Sequence, residues 1–388
     1  MQTVYKGMII RLYPTKEQEQ KMWQHIGASR FIWNRMLSIQ EERYKNGEKH
    51  LSAFGMNYLL PMLKQQEETA WLSEISSQTL KRVCSDLENA YQRFFREVSG
   101  FPKKKKRKTA KSSFPLCDTA GKVWFSETHV QVPVIGKVAY KTNYDIPLGN
   151  KVKFVNPRIK YTSSGKWILS LGVECEIQAP TLTNEKMGID LGLKDLAIVA
   201  FDGKHIVFHN KNKSRKLRKL RSKLKHLQRK LSRKYRVNGS YEETENIKKL
   251  KLQIKRLYYH IANIQKDYIH QTTHQLVEMR PCRITMEDLN VQGLMKNHKK
   301  AKAIQEQGWS EFVRQMKYKC EWNGIEFVQA DRWFASSKTC SYCGSKKKDL
   351  TENDRTYICP VCGLKINRDY NAAINLMRYE VQPERTSA

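Results

Sequence analysis

Four cysteines near the C-terminus constrain the fold of this chain more than any other feature of its sequence. They are spaced as C-x2-C, x15, C-x2-C, and they are Cys340, Cys343, Cys359 and Cys362. Thiolates with this spacing typically bind a tetrahedral structural zinc ion. We expect about one zinc per chain, and it should not be catalytic because four thiolates leave no coordination position open. The metal should also order the segment after it, where Asp369 follows Cys362 by seven residues.

The other five cysteines show no paired spacing, and they are Cys84, Cys117, Cys175, Cys282 and Cys320. In a chain of 388 residues scattered cysteines are expected to be small buried apolar side chains in a reducing compartment. A disulfide framework is therefore not expected.

The net charge of the chain is +33, from 71 Lys and Arg against 38 Asp and Glu. Such a balance predicts a polyanionic partner, because each neutralised phosphate releases condensed counterions. A membrane surface is the alternative, but the sequence shows no long apolar span, signal-peptide start or lipidation motif. We therefore expect nucleic acid as the partner and no membrane.

The N-terminal segment begins with a predicted strand and continues as helix. Residues 4–13 are strand-like, and Thr15 followed three residues later by Gln18 is a capping-box signal for a helix start. Apolar residues then recur at helical steps to about Val98. These residues predict a helical region that follows a single N-terminal strand.

Residues 122–177 have a different sequence pattern, with several short strand-like runs and a hairpin turn at 163–165. Strands at this spacing predict a small barrel. We expect the N-terminal strand to complete it, which would make the helical region an insertion.

A strongly basic segment covers residues 211–236, which hold fourteen Lys and Arg and no acid. Leucines recur there at three- and four-residue steps, and an apolar stripe resumes over residues 247–268 after a turn at 238–240. The pattern predicts an antiparallel helical hairpin with its stripes in the core. The basic face should contact a nucleic-acid backbone. The candidate contacts are Arg218, Arg221, Lys225 and Arg229.

A second basic run, at residues 103–108, follows Pro102. It could be a nuclear localisation signal or a solvated loop. In a chain this basic we favour a loop that contacts phosphates, with Lys103, Lys104 and Lys105 as candidates.

Three acidic residues occur where an unpaired charge would be costly. Asp190 lies in an apolar strand-like run, Glu287 ends another, and Asp369 follows the cysteine array. Any one of them alone could be a capping or salt-bridged residue. Together they fit two-metal phosphodiester cleavage, in which carboxylates from separate elements hold two Mg2+ ions about 4 Å apart. The sequence thus predicts a catalytic, Mg2+-binding set of Asp190, Glu287 and Asp369.

Three motifs around these acids resemble those of RuvC-like nucleases, which have an RNase H-type fold. The motifs are GIDLG at 188–192, MEDL at 286–289 and NRDYNAA at 367–373. With a zinc module before the third motif, the chain resembles the TnpB family, RNA-guided nucleases of bacterial and archaeal insertion sequences. The resemblance spans nearly the whole chain, including LYPT at 12–15, and is looser before residue 183.

This resemblance implies a multidomain α+β fold. It consists of an RNase H-like (RuvC) α/β nuclease domain with helical-hairpin and zinc-ribbon insertions, preceded by a β-barrel wedge domain that carries a helical recognition insertion. The implied ranges are 1–15 and 115–182 for the wedge domain, 16–114 for the recognition domain, 183–378 for the nuclease domain with its hairpin at 211–280 and zinc ribbon at 336–366, and 379–388 for a disordered tail.

The resemblance also implies the partners and the reaction. A guide RNA from the transposon end, one protein per RNA, would direct the chain to double-stranded DNA beside a short motif, and one RuvC site would cut both strands. Gln78, Lys81 and Arg82 could read that motif, although helix-start chemistry explains the same residues. The expected location is the prokaryotic cytoplasm, in association with the nucleoid.

Other functions remain open from the sequence. A guide-free, structure-specific nuclease or a transposase would share the acids, and a zinc-ribbon binder would share the cysteines and the charge. A TnpB-derived repressor would lack catalytic acids, which are intact here. The eukaryotic relatives called Fanzors would use the 103–108 run as a nuclear signal, but compact length and short motifs favour a prokaryotic protein.

Overall fold

A computed structural model describes residues 2–117, 119, 121–149, 151–237, 243–351 and 354–380. The chain divides into two compact units. The N-terminal unit is Thr3–Glu176, and the C-terminal unit begins at Ile177. No helix in the described part of the chain is both long and apolar enough to cross a membrane.

The N-terminal unit contains seven strands and three α-helices among its described residues. The strands are β1 (Gln2–Tyr13), β2 (Ser113–Pro115), β3 (Trp124–Phe125), β4 (His129–Val132), β5 (Gly136–Lys141), β6 (Phe154–Tyr161) and β7 (Trp167–Ile177). The helices are α1 (Lys16–Lys45), α2 (Ala53–Gln65) and α3 (Ser77–Phe95), with a 3-10 helix at Glu67–Glu74.

The N-terminal strand joins the same sheet as the later strands, as predicted. The sheet order is β2-β6-β7-β1-β5-β4-β3, so β1 lies between β7 and β5. The helices separate β1 from β2 along the chain. The sheet has its own core, which includes Ile10, Leu12 and Phe154, and the helices pack around a second core that includes Ile32, Met36 and Leu80.

The predicted capping box at the start of α1 is confirmed. The Gln18 backbone N–H donates to Thr15 Oγ1 at 3.3 Å, and the Thr15 N–H donates to Gln18 Oε1 at 3.1 Å. These bonds satisfy two backbone donors that a helix start leaves without partners. The helical region ends at Phe95, three residues before the predicted limit.

The C-terminal unit contains the remaining elements. Its strands are β8 (Lys186–Leu191), β9 (Asp195–Phe201), β10 (Lys204–His209), β11 (Arg283–Glu287), β12 (Glu326–Ala330), β13 (Thr356–Ile358) and β14 (Lys365–Asn367). Its helices are α4 (Arg215–Val237), α5 (Glu245–Glu278), α6 (Val291–Leu294), α7 (His298–Gln307), α8 (Trp309–Asn323) and α9 (Arg368–Met377), with a 3-10 turn at Lys211–Lys213.

A mixed five-stranded sheet is the centre of this unit, in the order β10-β9-β8-β11-β12. β8, β9 and β10 form an antiparallel meander, while β11 runs parallel to both β8 and β12. One face packs against a large core that contains Ile269 of α5 and Phe312 of α8. The other face packs against α9 through a smaller core around Ala373.

The basic segment forms the predicted hairpin of α4 and α5. Leu217 and Leu224 pack with Leu250, Ile254 and Ile261 in a core of their own. The helices are antiparallel: Gln228 donates to Tyr258 Oη at 2.7 Å, whereas Asn212, just before α4, contacts Gln265 farther along α5. The predicted turn at 238–240 lies outside the described residues.

The end of the chain is ordered slightly beyond the predicted limit. The Asp331 backbone N–H donates to Tyr379 Oη at 3.2 Å, and Lys186 Nζ donates to Glu380 Oε1 at 2.7 Å. Contacts therefore continue two residues into the segment predicted as tail, and residues 381–388 lie outside the described part.

Candidate active site and zinc module

Asp190 lies on the face of β8 that carries α9. Met187 and Ile189 point into the large core on the opposite face. Because side chains alternate along a strand, Gly188 and Asp190 share the α9 face. Their antiparallel partners on β9, Ala200 and Ile198, belong to the α9 core, which supports this assignment. Asp190 is partly buried beneath the helix.

Gly188 allows α9 to lie directly on β8. A Cβ atom at this position would be 2.0 Å from the Ala373 carbonyl oxygen and 2.3 Å from the Met377 backbone nitrogen. These are backbone atoms, which cannot swing aside. The glycine in the GIDLG motif is thus needed for close helix–strand approach, two residues before the carboxylate.

Glu287 reaches the same place from the neighbouring parallel strand. Thr285 pairs with Gly188 and Met286 with Ile189, so Glu287 is the next residue in register, beside Asp190. Parallel strands bring their carboxyl ends to one edge of a sheet. The Ser336 hydroxyl donates a hydrogen bond to Glu287 Oε1, which fixes one carboxylate oxygen.

Asp369 occupies the first turn of α9. The Asn367 side chain caps this helix by accepting from the N–H groups of Asp369 at 2.9 Å and Tyr370 at 3.1 Å. Arg368 donates to Asp369 Oδ1 from Nη2 at 2.7 Å and from Nε at 2.9 Å. Arg355 Nη1 lies 3.7 Å from Asp369 Oδ2. Asp369 is therefore held by the helix cap and by two guanidinium groups.

The three carboxylates interact electrostatically. Burial is the largest cause of a pKa of Asp190 that lies well above its usual range, and the charges of Glu287 and Asp369 raise it further, while Arg368 opposes them. The pKa of Glu287 is also raised by burial, and its hydrogen bond from Ser336 opposes this. Clustered acids with raised pKa values are typical of a site that gains a cation.

The donor set of this site fits Mg2+. All three side chains offer carboxylate oxygens, which hard divalent ions prefer. Thr285, fully buried beside Gly188, has a hydroxyl without a hydrogen-bond partner in the described structure.

The four cysteines of the array come together as the spacing predicts. Their Sγ atoms all lie within 4.8 Å of one another, and Cys340 to Cys362 and Cys343 to Cys359 measure 3.7 and 3.5 Å. Tetrahedral thiolates at a Zn–S distance of 2.3 Å would be separated by about 3.8 Å. The cluster therefore fits a structural zinc ion.

The zinc module is tied to α9 by buried amide side chains. Asn371 donates to the Thr339 carbonyl at 2.7 Å and accepts from the Ser341 N–H at 2.9 Å. Asn375, one turn later, donates to the carbonyls of Ser336 and Thr339 at 2.7 Å each. The segment that starts the module also supplies the Ser336 hydroxyl to Glu287. The module thus positions α9 and two of the three carboxylates.

Several of these residues were not predicted as site residues. Ser336, Arg355 and Asn375 act through partners that are distant in sequence, so local patterns do not assign them roles. The sequence did contain one signal for this contact. Asn371 and Asn375 lie one turn apart in a short helix, and buried asparagines need hydrogen-bond partners outside it.

The candidate nucleic-acid residues of the N-terminal unit differ in exposure. Gln78 and Lys81 are exposed near the start of α3, and Arg82 is partly buried there. Lys103 and Lys104 are exposed, but Lys105 is partly buried, with its Nζ 3.4 Å from the ring centroid of Trp33. Their contacts with nucleic acid stay predictions.

The α4 candidates differ in the same way. Arg218, Lys225 and Arg229 are exposed. Arg221 instead donates to the Asn212 carbonyl at 2.7 Å and forms an ion pair with Glu306 at 3.2 Å. Arg221 therefore has a structural role at the base of the hairpin.

Three family models match parts of the chain. They are a "Helix-turn-helix domain" of the OrfB IS605 type over residues 1–49, the OrfB IS605 "Probable transposase" over 170–298, and a "Cas12f1-like, TNB domain" over 309–376. In the structure, residues 2–45 form one strand and one long helix.

Two curated relatives are similar over nearly their whole length. A "Putative RNA-guided DNA endonuclease" of Streptomyces pristinaespiralis is 31% identical over 379 residues, covering 97% of this chain and 90% of the relative. The "Putative RNA-guided DNA endonuclease InsQ" of Escherichia coli (strain K12) is 33% identical over 383 residues, covering 95% and 90%.

A solved structure, described as a cryo-EM structure of the Cas12f1-sgRNA-target DNA complex, matches with a TM-score of 0.63. It covers 97% of this chain and 99% of that chain at 14% sequence identity. At this identity the match establishes a shared mixed α/β multidomain fold.

Proposed function

Because this chain belongs to the TnpB family of transposon-encoded nucleases, we propose that it is an RNA-guided, metal-dependent DNA endonuclease. The observation that carries the proposal is the meeting of Asp190, Glu287 and Asp369. They come from two parallel strands and a helix, and they gather where α9 crosses the end of β8.

In the proposed mechanism the three side chains supply carboxylate oxygens to two Mg2+ ions. Bound Mg2+ would activate a water and neutralise charge on the leaving oxygen of a phosphodiester. The protein contributes positioning: Ser336 orients Glu287, and the α9 cap fixes the backbone of Asp369. Arg368 and Arg355 hold the Asp369 carboxylate, and their cationic groups also suit a phosphate at this edge.

The finer architecture follows from the family. We assign the unit after residue 182 to an RNase H-like (RuvC) nuclease domain, residues 1–15 and 115–182 to a β-barrel wedge domain, and 16–114 to a recognition domain. The sheet with its inserted helices supports this division. The zinc ribbon at 336–366 and the hairpin at 211–280 would be insertions in the nuclease domain.

The partners are proposed on the same basis. A guide RNA from the transposon end would pair with double-stranded DNA beside a short adjacent motif, with one protein per RNA, in the cytoplasm near the nucleoid. Base pairing would provide sequence specificity, and the exposed cations of α4 would bind backbone phosphates.

The first test is to sequence the RNA that copurifies when the protein is expressed with its native flanking DNA. One abundant RNA with sequence from beyond the coding region is expected. With that RNA and Mg2+, the protein should cut DNA matched to the guide. No enriched RNA, together with cutting that needs no RNA, would contradict guided cleavage.

A matched pair of variants tests the site. Asp190→Ala should reduce cleavage by more than about a hundredfold, because a metal ligand is lost, and should retain RNA binding. Asp202→Asn is the control. Asp202 is an exposed acid at the turn after β9 with φ of 48°, a conformation that asparagine adopts readily. Equal cleavage by both variants would exclude Asp190 from the site.

A further inference from the structure

One tryptophan of the C-terminal unit is far more exposed than the others. Trp333 is 86% exposed, whereas Trp71, the next most exposed of the eight tryptophans, is 42% exposed. Tryptophan is usually largely buried, because its ring is big and apolar. Single apolar side chains are nevertheless common on protein surfaces, so any role of Trp333 depends on where it lies.

Trp333 lies at the edge of the central sheet where the carboxylates meet. β12 runs parallel to β11, and its last residue, Ala330, pairs with Glu287. Parallel strands leave the sheet at the same edge. Trp333 follows the end of β12 by three residues, so it is part of the loop that leaves the sheet beside Glu287.

Contacts on both sides of Trp333 tie this loop to the end of β11. Arg332 Nη2 donates to Asp288 Oδ2 at 2.7 Å, and the Ser336 hydroxyl donates to Glu287 Oε1. Trp333 is three residues from Ser336, so their Cα atoms are at most about 11 Å apart. The ring is therefore within reach of a nucleotide close to a phosphate bound by the carboxylates.

The backbone of Trp333 is fixed in a tight turn. The Asp331 carbonyl accepts from the Phe334 N–H at 3.0 Å, and Asp331 Oδ1 accepts from the Trp333 N–H at 2.7 Å. An aspartate that bonds the backbone two residues on is typical of such turns. Phe334 packs against Tyr379 with ring centroids 4.9 Å apart. The turn is thus anchored through its first and last residues, while the Trp333 ring faces solvent.

An indole ring held in this way suits a nucleobase as its partner. Every base has a flat π-face that stacks on an aromatic side chain, whatever the sequence. The base must be free of its neighbours in a duplex, so the expected partner is a single strand.

We propose that Trp333 stacks on a base of the DNA strand in the proposed cleavage site, within about four nucleotides of the phosphate that is cut. Trp333 is then a positioning residue, because it holds the strand and takes no part in bond breaking. The assignment rests on the proposed function in taking the strand at this site to be DNA.

Photocrosslinking tests the contact directly. The full-length protein, with the RNA that copurifies, is mixed without Mg2+ with a short single-stranded DNA that carries 5-iododeoxyuridine in place of thymidine. Ultraviolet light joins this base to an aromatic ring stacked on it, and mass spectrometry locates the joined peptide. We expect a crosslink at Trp333. DNA crosslinks only at other positions, or a crosslink at Trp333 only with a matched 5-iodouridine RNA, would overturn the proposal.

Three substitutions of Trp333 separate stacking from other effects. Trp333→Ala and Trp333→Leu should reduce cleavage at low DNA concentration by about tenfold, because stacking on one base is lost. Trp333→Phe keeps an aromatic ring and should stay within about threefold of the wild type. The thermal midpoint should be the same for all three, since the side chain is exposed. Full activity of Trp333→Leu would contradict stacking.

Tyr44→Ala is the matched control, because Tyr44 in α1 is also 86% exposed. It should cut as the wild type does, and equal losses in Tyr44→Ala and Trp333→Ala would contradict a special role for Trp333. The crosslink requires no cleavage. Absence of cutting by the wild type would therefore count against the proposed function alone, whereas cutting without a Trp333 crosslink would overturn the stacking contact alone.

Discussion

Gly188 and Asp190 give strand β8 two roles, which are to allow close packing of α9 and to place a carboxylate beneath it. Gly188 lets α9 approach, and Asp190, on the same face, then lies under the start of that helix. The approach increases the burial of the carboxylate, which raises its pKa. The buried carboxylate thus destabilises the metal-free fold at neutral pH, a conflict with stability that is common at functional sites and that fits its proposed role as a Mg2+ ligand.

Gly188→Ala should separate α9 from β8. The added Cβ would meet backbone atoms, so we expect a loss of more than about 3 kcal/mol in the free energy of unfolding and loss of cleavage. Chemical denaturation measures the first. The control is Gly27→Ala, in α1, where a Cβ meets no atom within 4 Å. It should be neutral or stabilising by up to about 1 kcal/mol. Similar destabilisation by both would contradict the close approach.

The pH dependence of metal-free stability should reflect Asp190. Its pKa in the folded state is above that in the unfolded state, so the folded protein binds more protons between the two values. Stability therefore falls as pH rises through this window. Asp190→Asn should flatten that fall. Mg2+ should stabilise the wild type, because it binds the folded state, and not the variant. Denaturation at several pH values, with and without Mg2+, measures both effects, and identical profiles would contradict this assignment.

At the scale of elements, the zinc module acts as a support for α9. It has few apolar core residues, including Tyr357 and Leu350, so metal binding should provide much of its folding free energy. Asn371 and Asn375 connect it to the helix. Loss of zinc should therefore displace α9 and the Asp369 carboxylate at the proposed active site, although the zinc ion would take no part in the reaction.

Cys359→Ser should remove about one zinc per chain, unfold the 340–366 module and sharply reduce cleavage. Elemental analysis gives the zinc content, and proteolysis reports the unfolding. Cys282→Ser is the matched control, because its Sγ donates to the Asn184 and Glu185 carbonyls at 3.3 Å and a hydroxyl can do the same. A metal-free, fully active Cys359→Ser protein would refute the structural role.

Sequence reasoning predicted the elements whose signals are local. The Thr15–Gln18 cap and the hairpin stripes both follow from neighbouring residues. The three acids were found because each is a charge beside an apolar or metal-ordered run. The roles of Ser336, Arg355 and Asn375 could not be predicted, because their partners are fixed by tertiary packing. For the same reason, the leucine spacing of α4 predicted the hairpin but did not predict that Arg221 contacts Asn212 and Glu306.

Across the whole molecule, the cationic side chains fall into two groups: some are paired with acidic residues, and others are exposed. Some cations are neutralised internally, as Arg221 is by Glu306 and Arg158 by Asp86. Others, such as Arg218 and Arg229 on α4, are exposed without a described acidic partner. The count of 71 Lys and Arg therefore overstates the number of groups that can contact phosphates.

Arg229→Ala and Arg221→Ala should separate these two classes. Arg229→Ala should weaken nucleic-acid binding and reduce the salt slope by about one, with the thermal midpoint unchanged. Arg221→Ala should lower the thermal midpoint, because the Asn212 carbonyl and Glu306 lose their partner. Anisotropy across salt concentrations and thermal unfolding measure the two effects. The reverse pattern would contradict the structural assignment of Arg221.

The order of the three carboxylates along the chain affects when activity can arise. Domains fold as they are synthesised, from the N-terminus onward. Asp190 and Glu287 can be in place early, but Asp369 belongs to α9, the last described helix, and depends on a zinc module made just before it. A partly synthesised chain would present the basic surfaces proposed to bind nucleic acid while it still lacked the residue that completes the proposed cleavage site. Binding would thus precede the capacity for damage during each round of synthesis.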